Sequence, residues 1–292
     1  MPQYNKPENN MNTYRFSGHE SFPCKSLWLK KGYDFMAEQR DFNSPEAVMD
    51  LGVGKNMVAS IRYWLRAFGI CDADGFTDLG HYLFDEQNGK DKYLEDLATL
   101  WLLHFTLVFS EEASLYHLFF THFQRERKQF ERNQVVDNVQ RRLREEGKEH
   151  LFNQNTVKKD VAVLLQNYCL PRRSSHSNED FSSLLIDLDL IRYKGEDQYV
   201  FNIEGKRQVT PEIFLYGLIK IKGEDNTVPY DVLQMLGLIF CMTDLETIDM
   251  LKLLSENYSD YLTYSDVAGI RQIQFTKALA PFDVLDQYYE RV

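Results

Sequence analysis

No hydrophobic run in this 292-residue chain reaches membrane length. The longest stretch without a formal charge, Leu97 to Phe109, falls short of the ~18 residues a spanning helix needs. No basic-then-apolar segment opens the sequence either. Met1 to Asn12 is polar and Asn-rich, so a loose start and a cytoplasmic protein with no membrane partner are expected. Cysteine is sparse: Cys24, Cys71, Cys169 and Cys241 are scattered with no C-x-x-C pair, which excludes a zinc ribbon, an iron–sulfur site or a disulfide framework. The seven histidines form no H-E-x-x-H spacing, so no tightly bound metal or cofactor is expected. An excess of positive charge, the usual footprint of a nucleic-acid binder, is missing too, since the formal net charge is −11.

What the chain does have is aromatic and apolar material for more than one core, at 14% aromatic and 43% hydrophobic residues. The charge is also unevenly placed. Residues 1–124 carry 11 basic and 17 acidic side chains, residues 125–173 carry 12 and 7, and residues 174–292 carry 10 and 20. A positive middle between acidic flanks is compatible with a DNA face on an anionic body.

The most informative element is a helix expected from Lys55 to Phe68, after Ser44-Pro45-Glu46 starts a short helix and Gly52-Val53-Gly54 turns the chain. At 100° per residue, Met57, Val58, Ile61, Trp64, Leu65 and Phe68 share an arc of about 120°. Lys55, Arg62 and Arg66 line up on the opposite side, with no acid anywhere on the helix. Gly69-Ile70, the turn formers Asp72-Ala73-Asp74-Gly75 and an extended Phe76 follow. Two readings are open: a helix-turn-helix whose second helix is followed by a hairpin wing, with Lys55, Asn56, Arg62 and Arg66 as DNA contacts, or an ordinary helical hairpin with a solvated basic face.

The same order recurs. Apolar helices are expected at 94–109 and 112–123, then a charged helix at about 130–147 rich in arginine. A further helix capped by Asn155 or Thr156 runs to Tyr168, with Lys158 and Lys159 away from its apolar side. A short helix through Leu184-Leu185-Leu188 and a hairpin at 190–203 complete this second unit. From Thr210-Pro211 onward the chain is helical and acidic, and residues 264–275 suit a third, degenerate winged unit. The expected fold is therefore mainly α with short β-hairpins: tandem winged-helix/helix-turn-helix modules plus a helical C-terminal domain. Domains are expected at 1–110 (leader and winged helix), 111–208 (basic middle module) and 209–292 (acidic C-terminal domain).

Four blocks carry a resemblance: R-F-S-G-H-E-S-F-P at 15–23, W-L-K-K-G-Y at 28–33, L-G-V-G-K-N-M with I-R-Y-W across 51–64, and T-V-K-K-D-V at 156–161. In these the chain resembles a prokaryotic family, formerly of unknown function and encoded beside cysteine desulfurase and phosphosulfate-reductase-like genes. That family is similar to the SspB component of single-strand DNA phosphorothioation defence systems. The resemblance implies a protein that binds double-stranded DNA and acts as a nickase, with a cysteine desulfurase, a sulfurtransferase and an ATPase as partners. A homodimer is one expected assembly. The alternative is a non-enzymatic winged-helix adaptor or transcriptional regulator.

Phosphodiester cleavage needs a nucleophile in line and charge stabilisation at the phosphate. In the leader, His19 suits a general acid or base, Glu20 its orienter and Arg15 a phosphate clamp. The competing reading is that Phe16, Phe22 and Pro23 pin the leader while His19 and Glu20 satisfy backbone groups. A nuclease would also call for Mg²⁺ or Mn²⁺. Asp187 or Asp189 ahead of Glu204-Gly205-Lys206 resembles a D…E-x-K site, but three E-x-K triplets against about one by chance, from 21 Glu and 17 Lys, make that signal close to background. Gly52-Val53-Gly54-Lys55 lacks the spacing and the preceding strand of a nucleotide-binding phosphate loop. The arginines of 125–144 could track a DNA backbone, but their interleaved acids favour a solvated charged helix.

Overall fold

The computed structural model describes residues 14–169, 183–203 and 208–292. Local chemistry sets the first helices. Trp28–Ala37 forms α1 and Ala47–Leu51 forms α2, which ends on Gly52 in the left-handed region at φ 61°. Lys55–Ala67 forms α3, and Asp78–Phe84 forms α4 with Thr77 as its cap, accepting from the Gly80 N–H at 3.0 Å. Helix α3 buries Val58, Ile61, Trp64 and Leu65, and it meets α1 so closely that a Cβ on Gly32 would stand 2.7 Å from Leu65. After α3 the expected hairpin wing is reduced to a single antiparallel bridge between Cys71 and Phe76.

Leu97–Phe109 forms α5, buried on almost every side. Its Thr106 hydroxyl donates to the Phe68 carbonyl at 3.1 Å, and its His104 Nδ1 lies 2.8 Å from the Tyr168 hydroxyl. Because α5 is gripped from both sides, residues on either side of position 110 belong to one compact unit, Thr13–Asn202. The second compact unit spans Ile203–Val292.

The expected apolar helix at 112–123 is interrupted. Ser114–His117 (α6) passes through a π-helical turn, Leu118–Phe123, into Gln124–Glu126 (α7). A short strand, β1 (Gln129–Glu131), precedes α8 (Arg132–Glu145) and α9 (Gln154–Tyr168). Asn153, rather than Asn155 or Thr156, caps α9, its side chain accepting from the Thr156 N–H at 3.0 Å. The hairpin β2 (Ile191–Gly195) and β3 (Gln198–Phe201) turns through Glu196 and Asp197, both at positive φ. Strand β1 pairs antiparallel with β3, giving the sheet order β1-β3-β2.

The second unit repeats that order. Pro211–Lys222 (α10) leads to β4 (Thr227–Pro229), α11 (Tyr230–Ile239), α12 (Asp244–Asn257), β5 (Leu262–Val267), β6 (Ile270–Phe275) and α13 (Pro281–Tyr289). Its sheet order is β4-β6-β5, and its hairpin turns through Ala268 and Gly269, again both at positive φ. The fold is mainly helical with two small three-stranded antiparallel sheets. No described helix is long and apolar enough to cross a membrane.

Candidate nucleic-acid interface

The leader lies across α3 as a strap, and its chemistry explains its residues. Gly18 has φ 105°, and a Cβ there would stand 2.6 Å from the Tyr63 ring, so only glycine fits. The Ser60 hydroxyl donates to the His19 carbonyl at 3.0 Å, and Trp64 Nε1 donates to the Phe22 carbonyl at 3.1 Å. The strap is also tied to α9. Asp160 accepts the Ser17 N–H at 2.9 Å and lies 2.9 Å from His19 Nε2, while the Asn167 side chain accepts the Cys24 N–H at 2.9 Å. Three of the sequence blocks singled out above, around His19, Tyr63-Trp64 and Asp160, therefore meet in one place.

His19 is 4% exposed. Its Nδ1 faces the Ser21 N–H at 3.1 Å and so accepts, which puts the ring proton on Nε2, donated to Asp160. With both nitrogens engaged, the expected general acid or base has no free atom in this arrangement, and His19 acts as a fastener between α3 and α9. The other two leader candidates go elsewhere. Arg15 pairs with Glu112, and Glu20, exposed and at φ 48°, faces an open cavity.

That cavity, of about 950 Å³, has α3 as one wall. Lys55, Ala59, Arg62 and Arg66 line it at i, i+4, i+7 and i+11, joined by Asn56 and Tyr63. Phe42 to Pro45 and Val48 form a second wall, and Gly18, Glu20 and Glu112 a third. The Arg62 guanidinium donates to the neutral Asn43 side chain at 3.0 Å, and none of Lys55, Arg62 and Arg66 forms an ion pair among the described residues. Burial, with Asp160 and Glu112 nearby, raises the Tyr63 hydroxyl well above its ordinary range, so it stays a protonated donor. Lys158 and Lys159 are exposed on α9 and likewise make no ion pair among the described residues, but they do not line the cavity. Concentrated cations facing solvent without acidic partners can hold phosphate groups.

The other basic region is built differently. On and after α8, Arg132 pairs with Asp197, Arg141 with Glu126 and Glu145, Arg142 with Glu146, and Arg144 with Glu149. Periodicity found the α3 ridge. It missed Asn43, Tyr63 and Glu112, whose place depends on how the strap and the loop before α2 close around it.

Among the described residues no three His, Cys, Asp or Glu side chains come together as a metal cage. Asp189 is held by Arg192 and Asn202, and Glu204 and Lys206 lie outside the described residues.

Comparison with known proteins gives a family and a fold. The family described as "Protein of unknown function (DUF4007)" matches residues 16–289. Two solved structures are similar over 95% of this chain and 88% of theirs: "Magnesium ion-bound SspB crystal structure" (24% identity, TM-score 0.80) and "SspB crystal structure" (23% identity, TM-score 0.79). No curated protein matches the sequence.

Proposed function

This chain belongs to the DUF4007 family, proteins of unknown function, and we propose that it is the DNA-binding component of a phosphorothioation-linked defence system, gripping DNA through the cationic wall of α3. The observation that carries this reading is the set of three cations, Lys55, Arg62 and Arg66, left without acidic partners in a chain of net charge −11. The SspB-like fold supplies the defence setting, with a desulfurase, a sulfurtransferase and an ATPase as the partners that setting calls for.

Topology supports the same reading. Helix, strand, two helices and a hairpin, with the first strand pairing the last, is the order in which winged helices are built. In that reading α9 is the recognition helix of the middle module and presents Lys158 and Lys159 to phosphates. The test is duplex binding by Lys55→Glu, Arg62→Glu and Arg66→Glu, each expected to weaken affinity and flatten its salt dependence. Wild-type affinity in all three would remove the assignment.

Strand nicking is the finer form of this proposal, with Glu20 the leader candidate that lines the cavity and Arg15 held by Glu112, which lines it too. The full engagement of His19 favours the second reading, a non-enzymatic adaptor that brings partner enzymes to DNA. A plasmid-relaxation assay with Mg²⁺ or Mn²⁺ separates them. Open-circular product lost in Glu20→Gln supports nicking, and no product from clean protein supports the adaptor.

A further inference from the structure

The α3 cations form the wall of a concavity, and that shape decides what can reach them. A helix that reads the major groove must stand proud of its flanks to enter a channel about 12 Å wide and 8.5 Å deep. Here the ridge shares its cavity with Phe42–Pro45 and Val48, Asn43 accepting from Arg62, and with Gly18, Glu20 and Glu112. The cavity's volume, about 950 Å³, falls within the range of small-ligand pockets. Its lining matches one nucleotide better than a continuous polyanion. Three cations suit a phosphate, the rings of Phe42 and Tyr63 offer stacking surface, and the amides of Asn43 and Asn56 offer both donors and acceptors. The carboxylates of Glu20 and Glu112 on the far wall would repel a second run of phosphates, yet they can accept from the exocyclic amine of a base.

Resting on the DNA-binding reading, we propose that the α3 cavity is a pocket for a single unpaired nucleotide, supplied by single-stranded DNA or by a nucleotide extruded from a duplex. Phosphate sits at Lys55, Arg62 and Arg66, and the base enters the space between α3 and the loop at 42–48.

Ala59 allows a test that leaves every charge in place. It is exposed in the middle of the ridge, so Ala59→Trp fills the cavity, and Val48→Trp fills it from the opposite wall. Fluorescence anisotropy on the full chain would compare a short single strand, the same sequence as a blunt duplex, and that duplex carrying one unpaired nucleotide. Wild type should bind the single strand and the bulged duplex at least about tenfold more tightly than the blunt duplex. Each filling variant, with an unchanged melting temperature, should lose that preference. Equal or tighter binding of the blunt duplex, or a preference that survives both fillings, would overturn the pocket and leave DNA binding standing. Failure of wild type to bind any of the three at low salt would overturn the DNA-binding reading itself.

Discussion

Two stretches of this unit are rich in cations, and they differ in what surrounds each charge. The arginines of α8 outnumber those of α3, yet each sits within reach of a carboxylate, from Asp197 beside Arg132 to Glu149 beside Arg144. Helix α3 carries only Lys55, Arg62 and Arg66; Glu20 and Glu112 line the same cavity, yet none of the three cations forms an ion pair among the described residues, and Arg62 donates to the neutral Asn43 side chain. Local charge density in sequence therefore does not track which cations are left outside ion pairs among the described residues. Exposed pairs such as those of α8 add little stability, about 0–1 kcal/mol each, but they remove the cation from competition for phosphate.

The comparison can be broken or sharpened in several ways. The largest effect should come from cutting the strap that holds α3 in place. Asp160→Ala strips the acceptor from the half-buried Ser17 N–H and from the buried His19 Nε2, and should cost about 2–4 kcal/mol by chemical denaturation. Asp160→Asn, which keeps one acceptor oxygen, should cost less. Next is acid sensitivity beneath α8. Burial, with Arg142 adding to it, lowers His117 to about 4 from its ordinary value of 6.5. As pH falls below 6.5 the unfolded chain takes up a proton that the folded one refuses, so stability drops until about pH 4. From pH 6.5 to 5 this amounts to about 2 kcal/mol, and a pH series of melting curves on His117→Phe should lack that part of the slope.

Ala59→Glu would give α3 the acid it lacks, three residues before Arg62 and four after Lys55. DNA affinity at low salt should fall about 10–100-fold in an electrophoretic or anisotropy assay. The smallest effect should be at α8 itself, where Arg141→Glu with Arg144→Glu should leave DNA affinity within about twofold.

Helical periodicity was enough to find the α3 ridge, the buried face behind it and the two hairpins, because those features repeat over neighbouring residues. Strands β1 and β4 were illegible, since each is three residues long and exists only through a distant partner, Gln129 opposite Val200 and Thr227 opposite Gln274. For that reason the pairing of first strand with last in both the middle and C-terminal modules emerges only in three dimensions, although the sequence already suggested a third, degenerate unit at 264–275. The interruption at Leu118–Phe123 leaves no composition signal either. His19 shows the same limit at the site. Beside Glu20 it reads as acid–base chemistry, and only Asp160, 141 positions away, reveals a fastener.

The most direct measurement is the salt dependence of DNA affinity for wild type and for Lys55→Gln with Arg62→Gln and Arg66→Gln, which deletes the charges without reversing them. If these cations hold phosphates, the slope of log K against log salt should shrink by about 2–3, at 0.7–0.9 per phosphate contact. A slope equal to wild type in that variant would contradict the account and place the DNA contacts elsewhere on the molecule.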